Sequence, residues 1–336
     1  MRIVRLTIAG LFIALTAAAC AGGAAPSPSP AEPIKLTVGL GFVPSVQFAQ
    51  FYLADQAGYY RAAGLEVELI NKIDPDLVTL VGQGAVDIAL ADGTSVVPAV
   101  SQGIPIRYGA TIYADFPNVV FAPAATGIKT IADLEGRKIG TPGRYGSSWF
   151  MLQALLGAAG LTPDDVKLEI FQDFSQRACV ERGECDAATG FANNEPVVIG
   201  LAGGDPVVLS VDDIVALQGN GLIVGESTLA AKGDGLRAFV AATLRAEEEI
   251  IADPEKGLEA AIARIPELAS DRETQLAVLE ATIEMWHDEI TEASGLGALD
   301  RPGWEAMVDF MTGLPDSPVA RPVTVEQLLT DELLPR

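Results

Sequence analysis

Ala62-Ala63-Gly64-Leu65 and Ala158-Ala159-Gly160-Leu161 are near copies, and so are Gly84-Ala85-Val86-Asp87-Ile88-Ala89 and Gly183-Glu184-Cys185-Asp186-Ala187-Ala188. The first pair is offset by 96 residues and the second by 99, which a three-residue insertion around Thr162 to Asp165 reconciles. Each tetrapeptide closes a helical stretch and opens a strand (66–70 and 166–171), and each hexapeptide places a helix-ending glycine before a short apolar strand. The chain therefore contains one strand-helix-strand-helix-strand unit twice. The first unit runs from a strand at 34–39 through helices near 47–63 and 74–82 to a strand at 86–91. The second runs from 137–141 through helices near 146–159 and 174–182 to 185–190.

Strands alternating with helices predict an α/β chain with mostly parallel sheets covered by helices on both faces. In such sheets a ligand sits beyond the carboxyl ends of the strands. Those ends fall at 41–48, 92–95, 142–148 and 191–195, all rich in Gly, Ser, Asn and aromatic residues, as a cleft between two lobes requires. Candidate crossings at 113–119 and 219–226 assign 34–115 with 226–336 to one lobe and 116–225 to the other. Leu276, Leu279, Ile283, Trp286 and Ile290 recur at helical spacing as a core-packing stripe, so the C-terminal third is expected on the first lobe.

At the N-terminus, Arg2 and Arg5 precede an apolar run from Leu6 to Ala19, shorter than the roughly 20 residues of a membrane span. Ala17, Ala18 and Ala19 before Cys20 read as a lipobox, so residues 1–19 are expected to be a signal peptide and Cys20 the acylated anchor. An ordinary secretory signal with a free Cys20 is the alternative. Residues 20–33, with Pro26, Pro28, Pro30 and Pro33, read as an extended tether. The chain carries 22 basic and 45 acidic residues; without 1–19 the charge is −25. No basic cluster is available for phosphate backbones, so nucleic acid is excluded as a partner. Cys179 and Cys185 are open to two readings, a disulfide in an oxidising compartment or, less simply, a metal site with the single His287.

Each candidate site has a structural alternative. The run from Gly140 to Trp149, holding Tyr145, Gly146, Ser147 and Ser148, follows a strand and opens a helix, where backbone N–H groups and hydroxyls accept an oxyanion or carbonyl; a serine N-cap is the plainer reading. Phe42, Ser45, Gln47 and Phe48 offer an aromatic surface with hydrogen-bonding groups, or Phe48 and Tyr52 belong to the core. Asn193, Asn194 and Glu195 can meet the polar rim of a heterocycle, or shape the turn before Pro196. Asp92 has the same two readings in the first lobe, and Tyr113 and Phe116 either line the hinge or fill it. Glu247-Glu248-Glu249 reads as a solvated helix face. A lone histidine and no Walker pattern give little support to catalysis or nucleotide hydrolysis.

The chain resembles the solute-binding lipoproteins of ABC importers, and within them the family that groups sulfonate-binding and thiamine-precursor-binding proteins with fungal pyrimidine synthases. The resemblance rests on the run from Gly41 to Tyr52, on Ala57-Gly58-Tyr59-Tyr60, Ala63 to Val67, Asp133-Leu134-Glu135-Gly136, the Gly140 to Ser148 loop, Asn193-Asn194-Glu195-Pro196 and Asn220-Gly221-Leu222-Ile223. Ser45 stands where that pattern usually has Asn, and Gln50 where it has Pro. Val46-Gln47-Phe48-Ala49, Tyr145-Gly146-Ser147-Ser148 and the Asn-Asn-Glu-Pro turn look most like riboflavin-binding lipoproteins. The resemblance implies a two-lobed periplasmic-binding-protein fold of type II. It also implies a monomer outside the cytoplasm, anchored in the cell membrane through Cys20, with an ABC permease and its ATPase as partners. The implied ligand is riboflavin or, alternatively, a thiamine-type pyrimidine or a sulfonate, with no cofactor or metal; the alternative from another class is a pyrimidine-forming enzyme, for which one His and, beyond Cys20, two cysteines are poor equipment. Phe42, Gln47, Tyr113 and Tyr145 would stack on or edge the ring, and Ser147, Ser148, Asn194 and Glu195 would bond its rim.

Overall fold

The computed structural model describes residues 32–72, 76–212 and 214–335. The expected signal, Cys20 and nearly all of the tether lie outside these residues. The strands are β1 (Ile34–Gly39), β2 (Leu65–Ile70), β3 (Ile88–Ala91), β4 (Ile106–Thr111), β5 (Asn118–Pro123), β6 (Lys138–Thr141), β7 (Lys167–Ile170), β8 (Ala187–Phe191), β9 (Pro206–Leu209) and β10 (Gly221–Gly225). They form two sheets on one plan, β2-β1-β3-β10-β4 and β7-β6-β8-β5-β9, within a single compact unit, Pro33–Arg336. The three strands of each repeat unit are parallel, while β5 and β10 run antiparallel to their neighbours. The reversal follows from connectivity: β5 and β10 each enter from the other sheet, at the end where the parallel strands finish.

The return crossing lies earlier than expected. Residues 221–225 form β10 inside the first sheet, between β3 and β4, so the crossing is 210–220 and the second lobe ends before 221. Gly221-Leu222-Ile223-Val224-Gly225 is buried throughout, and a segment apolar on both faces is a central strand rather than a linker.

Hydrogen bonds explain the repeat. Asp87 Oδ2 accepts the Thr37 N–H at 2.9 Å while Asp87 N donates to Thr37 O at 3.0 Å; Asp186 makes the same pair with Lys138 at 2.8 and 2.9 Å. One aspartate per copy thus ties the entry of the third strand to the first. The glycines ahead of them, Gly84 and Gly183, have φ of +73° and +68°, where a Cβ costs roughly 1–2 kcal/mol. The insertion in the second copy is the 3-10 turn Pro163–Asp165, closed by a reciprocal Thr162–Asp165 capping box.

The helices between strands are α1 (Ala49–Gln56), α2 (Tyr59–Ala62), α3 (Asp76–Gly82), α4 (Gly93–Ser101), α5 (Gly146–Ala158), α6 (Gln176–Glu181) and α7 (Glu195–Leu201). The single helix expected at 47–63 is instead a 3-10 turn (Val46–Phe48), α1 and α2, broken by left-handed Gly58. After β10 come α8 (Glu226–Ala252), α9 (Pro254–Arg264), α10 (Arg272–Glu284), α11 (Glu289–Ser294), α12 (Arg301–Gly313) and α13 (Val325–Leu328). α8 packs on α1, β1 and β4, and α12 and α13 pack on α4, placing most of the C-terminal third on the first sheet; α10 also touches α7 of the second. Leu279, Ile283 and Trp286 are buried as the stripe predicts, although α10 ends at Glu284 and Ile290 belongs to α11.

The glutamate run is not a solvated face. Glu248 is exposed, but Glu247 is 1% exposed because it lies on the α8 stripe that also buries Phe239, Thr243 and Ile250. Glu249 accepts the Tyr59 hydroxyl at 2.6 Å. Of the two readings of Cys179 and Cys185, the structure has the disulfide, with Cα atoms 5.3 Å apart.

Candidate functional site

At the end of β1, Phe42 is held by its carbonyl, which accepts the Asn71 side-chain amide at 2.7 Å. Its ring meets Phe174, from the turn after β7, edge-on at 5.3 Å between centroids. Phe174 is the non-glycine residue with positive φ among the described residues (+59°), an uncommon conformation for a bulky side chain. Ser45 caps the following 3-10 turn by accepting the Gln47 N–H at 3.3 Å, and its hydroxyl donates to Gln47 Oε1. Gln47 is buried with Nε2 lacking a partner. Phe48 and Tyr52 are in the first core.

At the end of β3, Asp92 caps α4, accepting the Ser95 N–H at 3.2 Å and the Thr94 hydroxyl at 2.5 Å. Burial pushes its carboxyl pKa up, against the hydrogen bonds from Thr94 and Ser95. Ser148 donates to Asn118 Oδ1 at 2.9 Å. Neither Ser147 nor Ser148 caps α5: the N-cap is Tyr145, which makes no side-chain capping bond, and Gly146 opens the helix at φ +67°. Tyr145 is 47% exposed on a groove of about 580 Å³ whose lining includes Thr94, Ser95, Pro98, Trp149 and Phe150. The Arg144 guanidinium lies 5.4 Å from the Trp149 ring centre in the same groove.

The third cluster is at the crossing between β4 and β5. Ile112 N and Tyr113 N donate to Asn220 O at 3.0 and 2.8 Å, and Ala114 N to Met285 O at 2.8 Å, which brings both crossings and the end of α10 together. Tyr113 is buried, which raises its phenol pKa, with Asn193 and Thr282 beside the hydroxyl opposing the shift. Asn193 Nδ2 donates to Thr282 Oγ1 at 2.8 Å, joining the β8–α7 loop of the second lobe to α10. Asn118 Nδ2, Asn193 Oδ1, Asn220 Oδ1, Trp286 Nε1, Glu247 Oε2 and both amide atoms of Gln50 are buried without partners. Most buried polar groups are hydrogen-bonded, which makes these atoms candidates for contact with a ligand.

Asn194 and Glu195 take structural positions. Asn194 starts α7, with its carbonyl accepting the Val198 N–H at 3.0 Å, and Glu195 Oε2 folds back to accept the Phe191 N–H at 2.8 Å. Burial raises the Glu195 carboxyl pKa. Phe116 fills the core. Sequence reading passed over Gln50, Trp149, Phe174, Glu247 and Thr282. Gln50 had one signal, its departure from the family pattern; the others are distinguished by contacts made in three dimensions. Among the described residues no group of three or more His, Cys, Asp or Glu is placed to hold a metal ion.

Two lobes of one plan, joined by two crossings and facing each other through polar and aromatic loops at their strand ends, define a periplasmic-binding-protein fold of type II. The chain belongs to the NMT1/THI5-like family, which it matches over residues 45–257. It is 33% identical to the riboflavin-binding protein RibY of Chloroflexus aurantiacus over 98% of each chain. It is 26% identical to the formylaminopyrimidine-binding protein of Halalkalibacterium halodurans over 92% of each. The periplasmic aliphatic sulphonate binding protein SsuA of Escherichia coli superposes with a TM-score of 0.65 at 17% identity, covering 88% of this chain and 97% of that one.

Proposed function

We propose that this chain is the extracytoplasmic solute-binding component of an ABC importer, closing its two lobes on riboflavin and delivering it to a permease and its ATPase. The observation that carries the reading is the set of unpartnered, uncharged amides, Gln47 and Gln50 after the first strand and Asn118, Asn193 and Asn220 around the crossings. Neutral donors and acceptors suit a planar heterocycle with a polar rim, whereas a sulfonate calls for cations or clustered N–H groups. The exposed Tyr145 and the Phe42–Phe174 pair supply aromatic surface for a ring, and RibY, similar over its full length, is named for riboflavin.

No chemistry is required of the protein. A ligand that makes contacts with both lobes binds the closed state better than the open one and shifts the population toward closure. Acylation of Cys20 would tether a monomer to the cell membrane. No helix among the described residues is long and apolar enough to cross a membrane.

Similarity to the formylaminopyrimidine binder favours a thiamine-type pyrimidine as second reading. Titration with riboflavin, hydroxymethylpyrimidine, thiamine and taurine, followed by flavin fluorescence and thermal melting, separates the two. Saturable quenching with a rise in Tm, and riboflavin recovered unchanged, supports the proposal; a rise with a pyrimidine alone replaces the ligand and keeps the transporter.

A further inference from the structure

We infer that Glu247 contacts the ligand directly, as an uncharged carboxylic acid whose O–H and C=O pair with the N–H and C=O of a cyclic imide. The inference rests on the heterocycle-carrier reading and names a contact within it.

Glu247 is buried with Oε2 unpartnered. The cations near it on the chain are engaged elsewhere: Arg245 and Lys256 both pair with Glu249, and Arg245 also lies over the Tyr59 ring. A carboxylate in such a place, without a cation, is far costlier than the neutral acid. Burial, with Glu248 adding to it, accordingly raises this carboxyl pKa well above the ordinary value.

Position places the group near the hinge. Glu247 follows Ala246 on α8, and Leu244, Ala246 and Ile250 share one buried cluster with Tyr113 and Trp286 at the crossing. Around the same crossing are two more unpartnered groups, Asn220 Oδ1 and Trp286 Nε1. Asn220 accepts the Ile112 and Tyr113 N–H groups, and the residue before Trp286 accepts those of Ala114 and Asp115.

Chemistry selects the partner. A neutral carboxylic acid presents one donor and one acceptor side by side, the complement of an imide edge that presents an acceptor beside a donor. The isoalloxazine ring carries such an imide. A structural acid buried for packing would be expected to bond Oε2 within the fold.

The test measures dissociation constants for riboflavin and N3-methylriboflavin with the wild-type protein, Glu247→Gln and Glu247→Leu. A carboxamide offers the same donor–acceptor pair, so Glu247→Gln should bind riboflavin within about 3-fold of wild type, and Glu247→Leu about 30-fold more weakly. N3-methylation should weaken binding to wild type by a similar factor and change the Leu variant little. Equal affinities for wild type and Leu, or a wild type indifferent to N3-methylation, overturn the inference. Should the Leu variant fail to melt cooperatively, the comparison of the two flavins on wild type decides alone. A wild type that ignores riboflavin overturns the carrier reading, which is a different outcome from riboflavin binding that Glu247 does not affect.

Discussion

Asp115 lies on the crossing between the lobes, exposed as a residue yet partly desolvated at its carboxyl, with Asp212 and Asp288 nearby; burial first, then these two charges, push its carboxyl up to about 6. A folded pKa above the unfolded one means the native state binds the extra proton, so this contribution is complete below about pH 4 and is lost as pH rises through 6. Melting temperature should therefore fall across that window, and Asp115→Asn should flatten the fall; a pH series of thermal melts reads it, and an unchanged slope rejects the assignment. Tyr145 makes a second residue-scale case. Its exposure on the groove predicts that Tyr145→Ala weakens ligand binding by about 1 kcal/mol if the ring stacks, and an unchanged dissociation constant removes it from the site. Residues in loops at strand ends, such as Tyr145, Ser147 and Asn193, were legible because topology fixes where such loops gather. Glu247 was not, since local sequence shows three acids and only packing distinguishes the first, turned inward, from the two that follow it.

At the scale of elements, β10 is the piece that completes the first sheet, and its fit is tight. A Cβ on Gly221 would come within 2.1 Å of the Tyr108 ring and 2.4 Å of the Ala110 carbonyl. Backbone cannot retreat as a flexible side chain does, so Gly221→Ala should destabilise by about 1–3 kcal/mol, measured by urea denaturation. The Cys179–Cys185 bond closes a short loop between α6 and β8, six residues apart. Chain-entropy arguments for so short a loop give about 2 kcal/mol, so paired substitution to alanine should lower stability by roughly that amount while leaving the remote hinge residues in place. The repeat made most elements visible, since the Gly-x-x-Asp signature recurs wherever a third strand must be tied to the first. The reversed strands were hidden, because direction within a sheet is set by connection to the other lobe and leaves no mark on local pattern.

For the whole molecule, the two lobes are joined by contacts that neither makes alone: Phe42 with Phe174, and Asn193 with Thr282. A core cluster also runs from Val96 and Trp304 of the first lobe to Val120 and Leu155 of the second. Removing one bridge without disturbing either core should loosen closure. Phe174→Ala is expected to raise the radius of gyration of the ligand-free protein in solution scattering and to weaken ligand binding several-fold, because the open state then competes better. An identical scattering profile and affinity would show that the aromatic contact does not contribute to closure.

Sequence by itself determined the duplicated α/β plan, the position of the four strand-end loops and the acidic character, because composition, periodicity, left-handed glycines and the paired aspartates are local in the chain. Tertiary structure decided which residues of those loops turn inward and which shape the turn. It also decided where the second crossing ends, and it brought Thr282 of α10 to Asn193 and the turn before Trp286 to the first crossing. Burial and unpartnered polarity arise only when distant segments pack, and no window of sequence contains them.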